Sequence, residues 1–199
     1  MEEKKKPQQR TIESRNRLIK AAYELFNEKG YYNTNTKEIA EKAGISIGNF
    51  YNYFFDKSEV FCLLLQIHFE NSAAEFASVK DEFIKTQDRE VIKQGLFLWT
   101  SKMLERSSQN AGFLSDIATV SKENEKVRQQ TKEGVGKLIS LFEEFLHNNS
   151  DKDDCYIRAR MLYTITESAA SDILTIDDMA QREAYIKLLC DDIMHNIYG

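Results

Sequence analysis

NTKEIAEKAGISIGNFYNYFFDKSE, residues Asn35 to Glu59, is the stretch whose reading decides the fold. Asn35 followed three residues later by Glu38 has the spacing of a capping box, in which the first side chain accepts from the opening helical turn and the glutamate reaches back. This predicts a short helix from Thr36 to about Lys42 that buries Ile39, Ala40 and Ala43. Gly44 then supplies a turn conformation that side chains resist. Ser46 can cap a second short helix running from Ile47 to about Phe54, and Asp56 with Glu59 repeats the capping spacing, so a third begins near Lys57. Five aromatic residues fill six positions here: Phe50, Tyr51, Tyr53, Phe54 and Phe55, interrupted by Asn52. Helical periodicity sorts them. Phe50 and Phe54 form the inward face, while Ile47, Gly48, Asn49, Tyr51, Asn52 and Tyr53 are left for the outside; Phe55 has no assigned face.

Working outward, Thr11 to Lys29 carries Leu18, Ile19, Ala22, Leu25 and Phe26 on one stripe and stops at Gly30, the pattern of an amphipathic helix. From Lys57 onward the chain is strongly apolar (Val60, Phe61, Leu63, Leu64, Leu65, Ile67, Phe69), which suits a connector covered on more than one side. Further helices are expected at about 87–106, 111–121, 124–148, 154–175 and 178–198, separated by polar breaks at 107–110 and 148–154. With 8 glycines and a single proline in 199 residues, turn chemistry is too sparse for a sheet protein, so the expected class is all-α. The expected organisation is a disordered tail over 1–10, a three-helix domain over 11–56 and a larger helical domain over 57–199.

Composition excludes several functions. No apolar run approaches the roughly 18 residues of a membrane span, and MEEKKKPQQR lacks the apolar stretch of a signal peptide, so the protein is expected in the cytoplasm. Cys62, Cys155 and Cys190 are too widely spaced for a disulfide framework or a structural zinc site and read as small apolar fillers. His68, His147 and His195 stand in no metal or nucleophile motif, and no glycine-rich phosphate loop occurs; no enzyme, cofactor or metal is expected. The formal charge is -5, but residues 1–60 hold 11 Lys/Arg against 9 Asp/Glu, a net of +2, and the remainder is -7. That is the sign of a basic module on an acidic body.

Two short helices joined by a glycine turn, with small Ala40 where they approach, meet the requirements of a helix-turn-helix, although an ordinary helical hairpin has the same elements. The outward face of the second helix distinguishes them. Asn49 and Asn52 can hydrogen-bond base edges, asparagine suiting adenine in particular. The Tyr51 and Tyr53 hydroxyls can meet phosphate oxygens, and Gly48 permits close approach of another backbone. Thr36, Lys37, Ser46 and Lys57 fall at helix amino termini, where free N–H groups and partial positive charge favour phosphate. The DNA-contact set is therefore Thr36, Lys37, Ser46, Ile47, Gly48, Asn49, Tyr51, Asn52, Tyr53 and Lys57.

RLIKAAYELFNEKGYYNTNTKEIAEKAGISIGNFYNYFFDKSEVF resembles the amino-terminal pattern of the TetR family of bacterial transcriptional regulators over about residues 15–65. The matching positions include Ala22, Phe26, Gly30, Ile39, Ala40, Ala43, Gly44, Gly48, Tyr51, Phe54 and Lys57. Asn35, Asn49 and Tyr53 depart from the family's common serine or threonine, threonine and histidine, so operator sequence does not carry over. The resemblance implies that Ile47 to Phe54 is a recognition helix and that Tyr51 and Tyr53 contact phosphate, with Lys57 supporting them from the next helix. It further implies an effector-binding and dimerisation domain beyond about residue 70, an operator-bound homodimer, most often a repressor, and release by a small molecule. On that footing Phe97, Trp99, Met103, Phe113, Phe142, Phe145 and Met161 are candidate pocket residues, and His68 is the histidine best placed beside them. Tyr163, Thr166, Ala169, Ala170 and Ile173, with Leu189, Ile193 and Ile197, form stripes that fit a dimer interface and fit equally well helices packed inside one monomer. The rival reading is a helical ligand-binding or interaction protein whose amino-terminal module no longer binds DNA.

Overall fold

The computed structural model describes residues 7–86, 88–149 and 153–198. In chain order its helices are α1 (Pro7–Lys29), α2 (Thr36–Lys42), α3 (Ile47–Phe50), α4 (Lys57–Lys85), α5 (Arg89–Gln109), α6 (Ala111–Glu123), α7 (Glu125–Asn149), α8 (Cys155–Asp172) and α9 (Met179–Tyr198), with a 3-10 turn at Ile173–Thr175 between the last two. The described residues contain no strand, as the scarcity of turn residues requires. Of the tail expected over 1–10, residues 1–6 lie outside the described residues, and from Pro7 the chain is already helical. Proline suits the first turn of a helix, where its missing N–H has no acceptor to lose.

The chain divides into two compact units, and the division is not a single cut in sequence. The first comprises residues up to Ile67 together with Asn110–Thr131; the second comprises His68–Gln109 and Lys132–Gly199. Residues 110–131, expected to lie with the carboxy-terminal domain, thus belong to the first unit. Helices α4 and α7 each contribute residues to both.

In the first unit, Leu18, Ala22 and Phe26 of α1 are fully buried with Ile39, Phe50, Val60 and Phe61. Phe61 is the hub, with ring centroids 5.4 Å from Phe26, 5.0 Å from Tyr31 and 4.8 Å from Phe113. Full burial of one such ring is worth roughly 1.5–3 kcal/mol. Helix α6 is fastened to the end of α1: Asn27 Oδ1 accepts from the Phe113 amide at 3.1 Å, Asp116 Oδ2 accepts from the Tyr31 amide at 2.6 Å, and the Tyr32 hydroxyl donates to Glu123 at 2.7 Å. Tyr23 also donates to Asn110. Gly112 is required by this packing, because a Cβ there would stand 2.2 Å from the Asn27 carbonyl oxygen.

The second unit has its own core, built on Phe76, Phe83, Trp99, Phe142 and Phe145, with Leu162 of α8 and Cys190, Ile193 and Ile197 of α9. Phe76 meets Trp99 and Phe142 edge-on, with centroids 5.1 and 4.6 Å away. The small-residue stripe on α8 and the aliphatic stripe on α9 are spent here: Thr166, Ala169, Ala170, Ile173, Leu189, Ile193 and Ile197 are all buried within one monomer, and Tyr163 packs against them half-buried. This corrects their assignment to a dimer surface; small residues let helices of the same chain approach just as well. The outward apolar residues of these helices are Tyr156, Ile157 and Met161 on α8 and Met179 and Leu188 on α9.

Candidate nucleic-acid interface

Helix α2 is capped as the spacing predicts: Asn35 Oδ1 accepts from the Glu38 amide at 3.0 Å and Glu38 Oε2 accepts from the Asn35 amide at 3.1 Å. A hydrogen bond from Lys29 and that backbone bond hold the Glu38 carboxyl below its usual range. The helix closes at Gly44, whose φ of +63° is left-handed and whose following amide, on Ile45, donates back to the Ala40 carbonyl at 2.9 Å. These contacts fix the angle at which α3 leaves.

Ser46 caps α3 by accepting from the Asn49 amide at 3.3 Å. Regular helix ends at Phe50, earlier than the expected Phe54, although helical bonds from the Tyr53 and Phe54 amides to the Phe50 carbonyl carry the turn onward. Phe50 and Phe54 are buried, and Ile47 and Tyr51 are exposed, which divides the aromatic cluster by face as periodicity predicts. Gly48 has nothing within 4 Å of where its Cβ would be, so the protein's own packing does not demand glycine there. On the outer face Asn52 Nδ2 donates to Asn49 Oδ1 at 2.9 Å, and the Tyr51 hydroxyl lies 3.2 Å from that of Thr36. The first pair sets both amide planes; the second ties the exposed tyrosine to the start of α2. Ser46 and Lys37 are exposed, Tyr53 and Thr36 half-buried. Phe55 is 80% exposed, the most exposed large apolar residue of the set.

Lys57 departs from expectation. Its ammonium donates to the carbonyls of Tyr31 at 2.6 Å and Thr34 at 2.7 Å and sits 4.2 Å from the Tyr31 ring centroid. Burial pulls its pKa down. The side chain braces the loop between α1 and α2, so it is not a free phosphate ligand; the acceptors nearest the start of α4 are the loop's own carbonyls. Asp56 caps α4 as the spacing predicts, accepting from the Ser58 and Glu59 amides at 2.7 and 3.0 Å, but the returning bond shifts by a residue: Glu59 accepts from the Phe55 amide at 2.6 Å. Burial works to raise the Asp56 carboxyl, yet these bonds and the Ser58 hydroxyl hold it below its usual range.

Two basic groups beside this surface escaped the sequence reading. Arg17 brings Nη1 within 3.7 Å of where a Cβ on Gly44 would lie, and the Arg15 guanidinium stands 5.3 Å from the Phe54 ring centroid. Both sit on the polar face of α1, where charge ordinarily means only contact with water, so no local pattern marked them.

The expected pocket residues are brought together only in part, and as packed core. Trp99, Met103, Phe142 and Phe145 are buried in the core of the second unit. Phe113 belongs to the first unit, against Phe61, and Met161 is 52% exposed. Phe97 lines an open groove of about 540 Å³ between α5 and α9, with Leu98 and Cys190 and with the Lys93–Asp191 ion pair.

A capped short helix, a left-handed glycine turn and a second helix with its polar face unpacked define a helix-turn-helix protein. Residues 18–62 match the model of the bacterial regulatory proteins of the tetR family. It is 34% identical over 85 residues to an HTH-type transcriptional regulator of Staphylococcus aureus (strain bovine RF122 / ET3-1), covering 43% of this chain and 45% of that one. It is 44% identical over 54 residues to the HTH-type transcriptional regulator HbdR of Aromatoleum sp. (strain CIB), covering 27% and 24%. The match therefore spans less than half the length of these relatives. Among solved structures, the fatty acid degradation regulator FadR from Bacillus halodurans superposes with a TM-score of 0.70 at 19% identity, over 96% of this chain and 97% of that one. A TetR transcription regulator from Haloarcula marismortui superposes with a TM-score of 0.69 at 16% identity, over 94% and 97%. At such identity the likeness is one of fold.

Proposed function

We propose that this protein is a DNA-binding transcriptional regulator, a homodimer that occupies a near-palindromic operator and represses until a small effector binds the second unit. The observation that carries the reading is the outer face of α3: Ile47, Gly48, Tyr51 and Asn52 are exposed on a helix whose other side is locked in place by Phe50 and Phe54. Asn49 and Asn52 supply base-edge donors and acceptors, Tyr51 and Thr36 hydroxyls for phosphate, and Lys37, Arg17 and the α2 amino terminus the positive charge. Dimerisation would set the two copies of α3 in successive major grooves about 34–36 Å apart. The exposed apolar residues Tyr156, Ile157, Met161 and Leu188 are the surface for it.

Selection of bound sequences from a random duplex pool, followed by a salt titration on the winner, tests the reading. A single inverted-repeat sequence should emerge, with affinity falling steeply as salt rises. Asn49→Ala should cost roughly 1–3 kcal/mol and relax preference at one base pair in each half. Failure to enrich any sequence would sink the proposal.

A further inference from the structure

The outer face of α3 is small, and its chemistry is particular. From Ala43 to Asp56 there is no lysine or arginine, so the side chains that suit guanine are missing from this helix and its flanks. What the face offers is Ile47, 41% exposed, the bare backbone of Gly48, and the amides of half-buried Asn49 and exposed Asn52. Asn52 Nδ2 donates to Asn49 Oδ1 at 2.9 Å. That bond leaves the Asn49 amino group and the Asn52 oxygen for an outside partner, one donor beside one acceptor, held together as a unit.

Adenine presents the complement of that pair: on its major-groove edge a ring nitrogen accepts and the neighbouring exocyclic amine donates, whereas guanine presents two acceptors side by side. Against guanine the Asn52 oxygen would face another oxygen, buried and without a hydrogen between them. Ile47 has no polar atom in its side chain, and the apolar feature of the major groove is the thymine methyl. Asparagine and isoleucine are short, so they reach base edges only from a helix seated deep in the groove. Gly48 permits that seating. No protein atom lies within 4 Å of where its Cβ would be, and it stands one turn before Asn52, on the same face. Glycine costs a helix up to about 1 kcal/mol relative to alanine, and here the fold gains nothing in exchange.

We propose that α3 reads A·T base pairs in each operator half-site, with one adenine held by the Asn49–Asn52 pair acting as a single reader and one thymine methyl packed on Ile47. The assignment rests on the operator reading above and deepens it by naming the bases. Because the two amides orient each other, loss of either one disables the reader.

The test uses the full chain and the duplex that selection returns, with small chemical changes made in the DNA, where no folding defect can imitate them. Deoxyuridine in place of thymidine removes only the methyl group; it should weaken binding about fourfold at one position in each half. Ile47→Ala should bind the methylated and unmethylated duplexes equally. An adenine analogue lacking the ring-nitrogen acceptor, 7-deazaadenine, should weaken the parent about three- to tenfold at one position in each half. Asn49→Ala and Asn52→Ala should each erase that difference. Gly48→Ala meets no atom of the protein, so it should melt no lower than the parent and yet lose most of its operator affinity. The assignment is overturned if the positions relaxed by Asn49→Ala and Ile47→Ala prove to be G·C pairs, if deoxyuridine or 7-deazaadenine is silent everywhere, or if Gly48→Ala binds undiminished. Any of these leaves an enriched inverted repeat, and with it the operator reading, standing; enrichment of no sequence would remove both.

Discussion

Lys57 and Lys37 are both lysines in the opening turn of a helix, and sequence position alone gives them the same role. The structure separates them: Lys57 spends its donors on the carbonyls of Tyr31 and Thr34, whereas Lys37 is exposed. Lys57→Met should therefore destabilise the first unit, at about 1.5–3 kcal/mol for a charge-assisted bond left unmade, while the slope of log affinity against log salt stays at the parental value. Lys37→Met should leave stability unchanged and lower that slope by about one. Denaturation and a salt series on the two variants check both. Gly112 offers a second single-atom test. Its Cβ would collide with backbone, which cannot swing aside as a side chain can, so Gly112→Ala should cost about 1–3 kcal/mol in denaturant melts.

At the scale of elements, α2 and α3 were legible in advance because their determinants are local. Asn35, Glu38, Gly44 and Ser46 act within four residues of themselves, and the observed bonds are the ones their spacing implies. Asn35→Ala removes one arm of the capping box and should lower stability by about 1 kcal/mol, with Asn35→Ser restoring most of it. Where reading failed, the determinant was distant. The hydrogen bonds that seat α6 join residues 85 to 91 apart in sequence, and no periodicity within residues 111–123 announces them. The stripes of α8 and α9 were recognised as stripes but given the wrong neighbour, since an apolar face states that it will be covered and not by what. The same ambiguity defeated the pocket list, because an aromatic residue in the core and one lining a cavity have identical local sequence.

For the whole molecule, two measurements probe what single elements cannot. Burial and the Arg106 charge hold the His68 imidazole at about 4, so the unfolded chain takes up this proton near 6.5 and the folded one does not. Stability should therefore fall as pH drops from 6.5 towards 4, by about 3 kcal/mol for this group. Glu167, raised in the fold, contributes the opposite slope from 4.5 upward; the difference between parent and His68→Asn melts isolates the histidine, and the variant should lose its share of acid sensitivity. Sedimentation tests assembly: charging the exposed residues, as Ile157→Glu with Met161→Glu, should give monomers that remain folded, because neither side chain is part of the core. The discontinuity of the first unit also bears on engineering. A chimaera that borrows this helix-turn-helix head by cutting once after Ile67 would leave behind Phe113, Asp116 and Gly112, and with them the far wall of the Phe61 cluster. The transferable cassette has two pieces, and a recombination library that treats it as one would recover heads that are correctly spelled and only partly built.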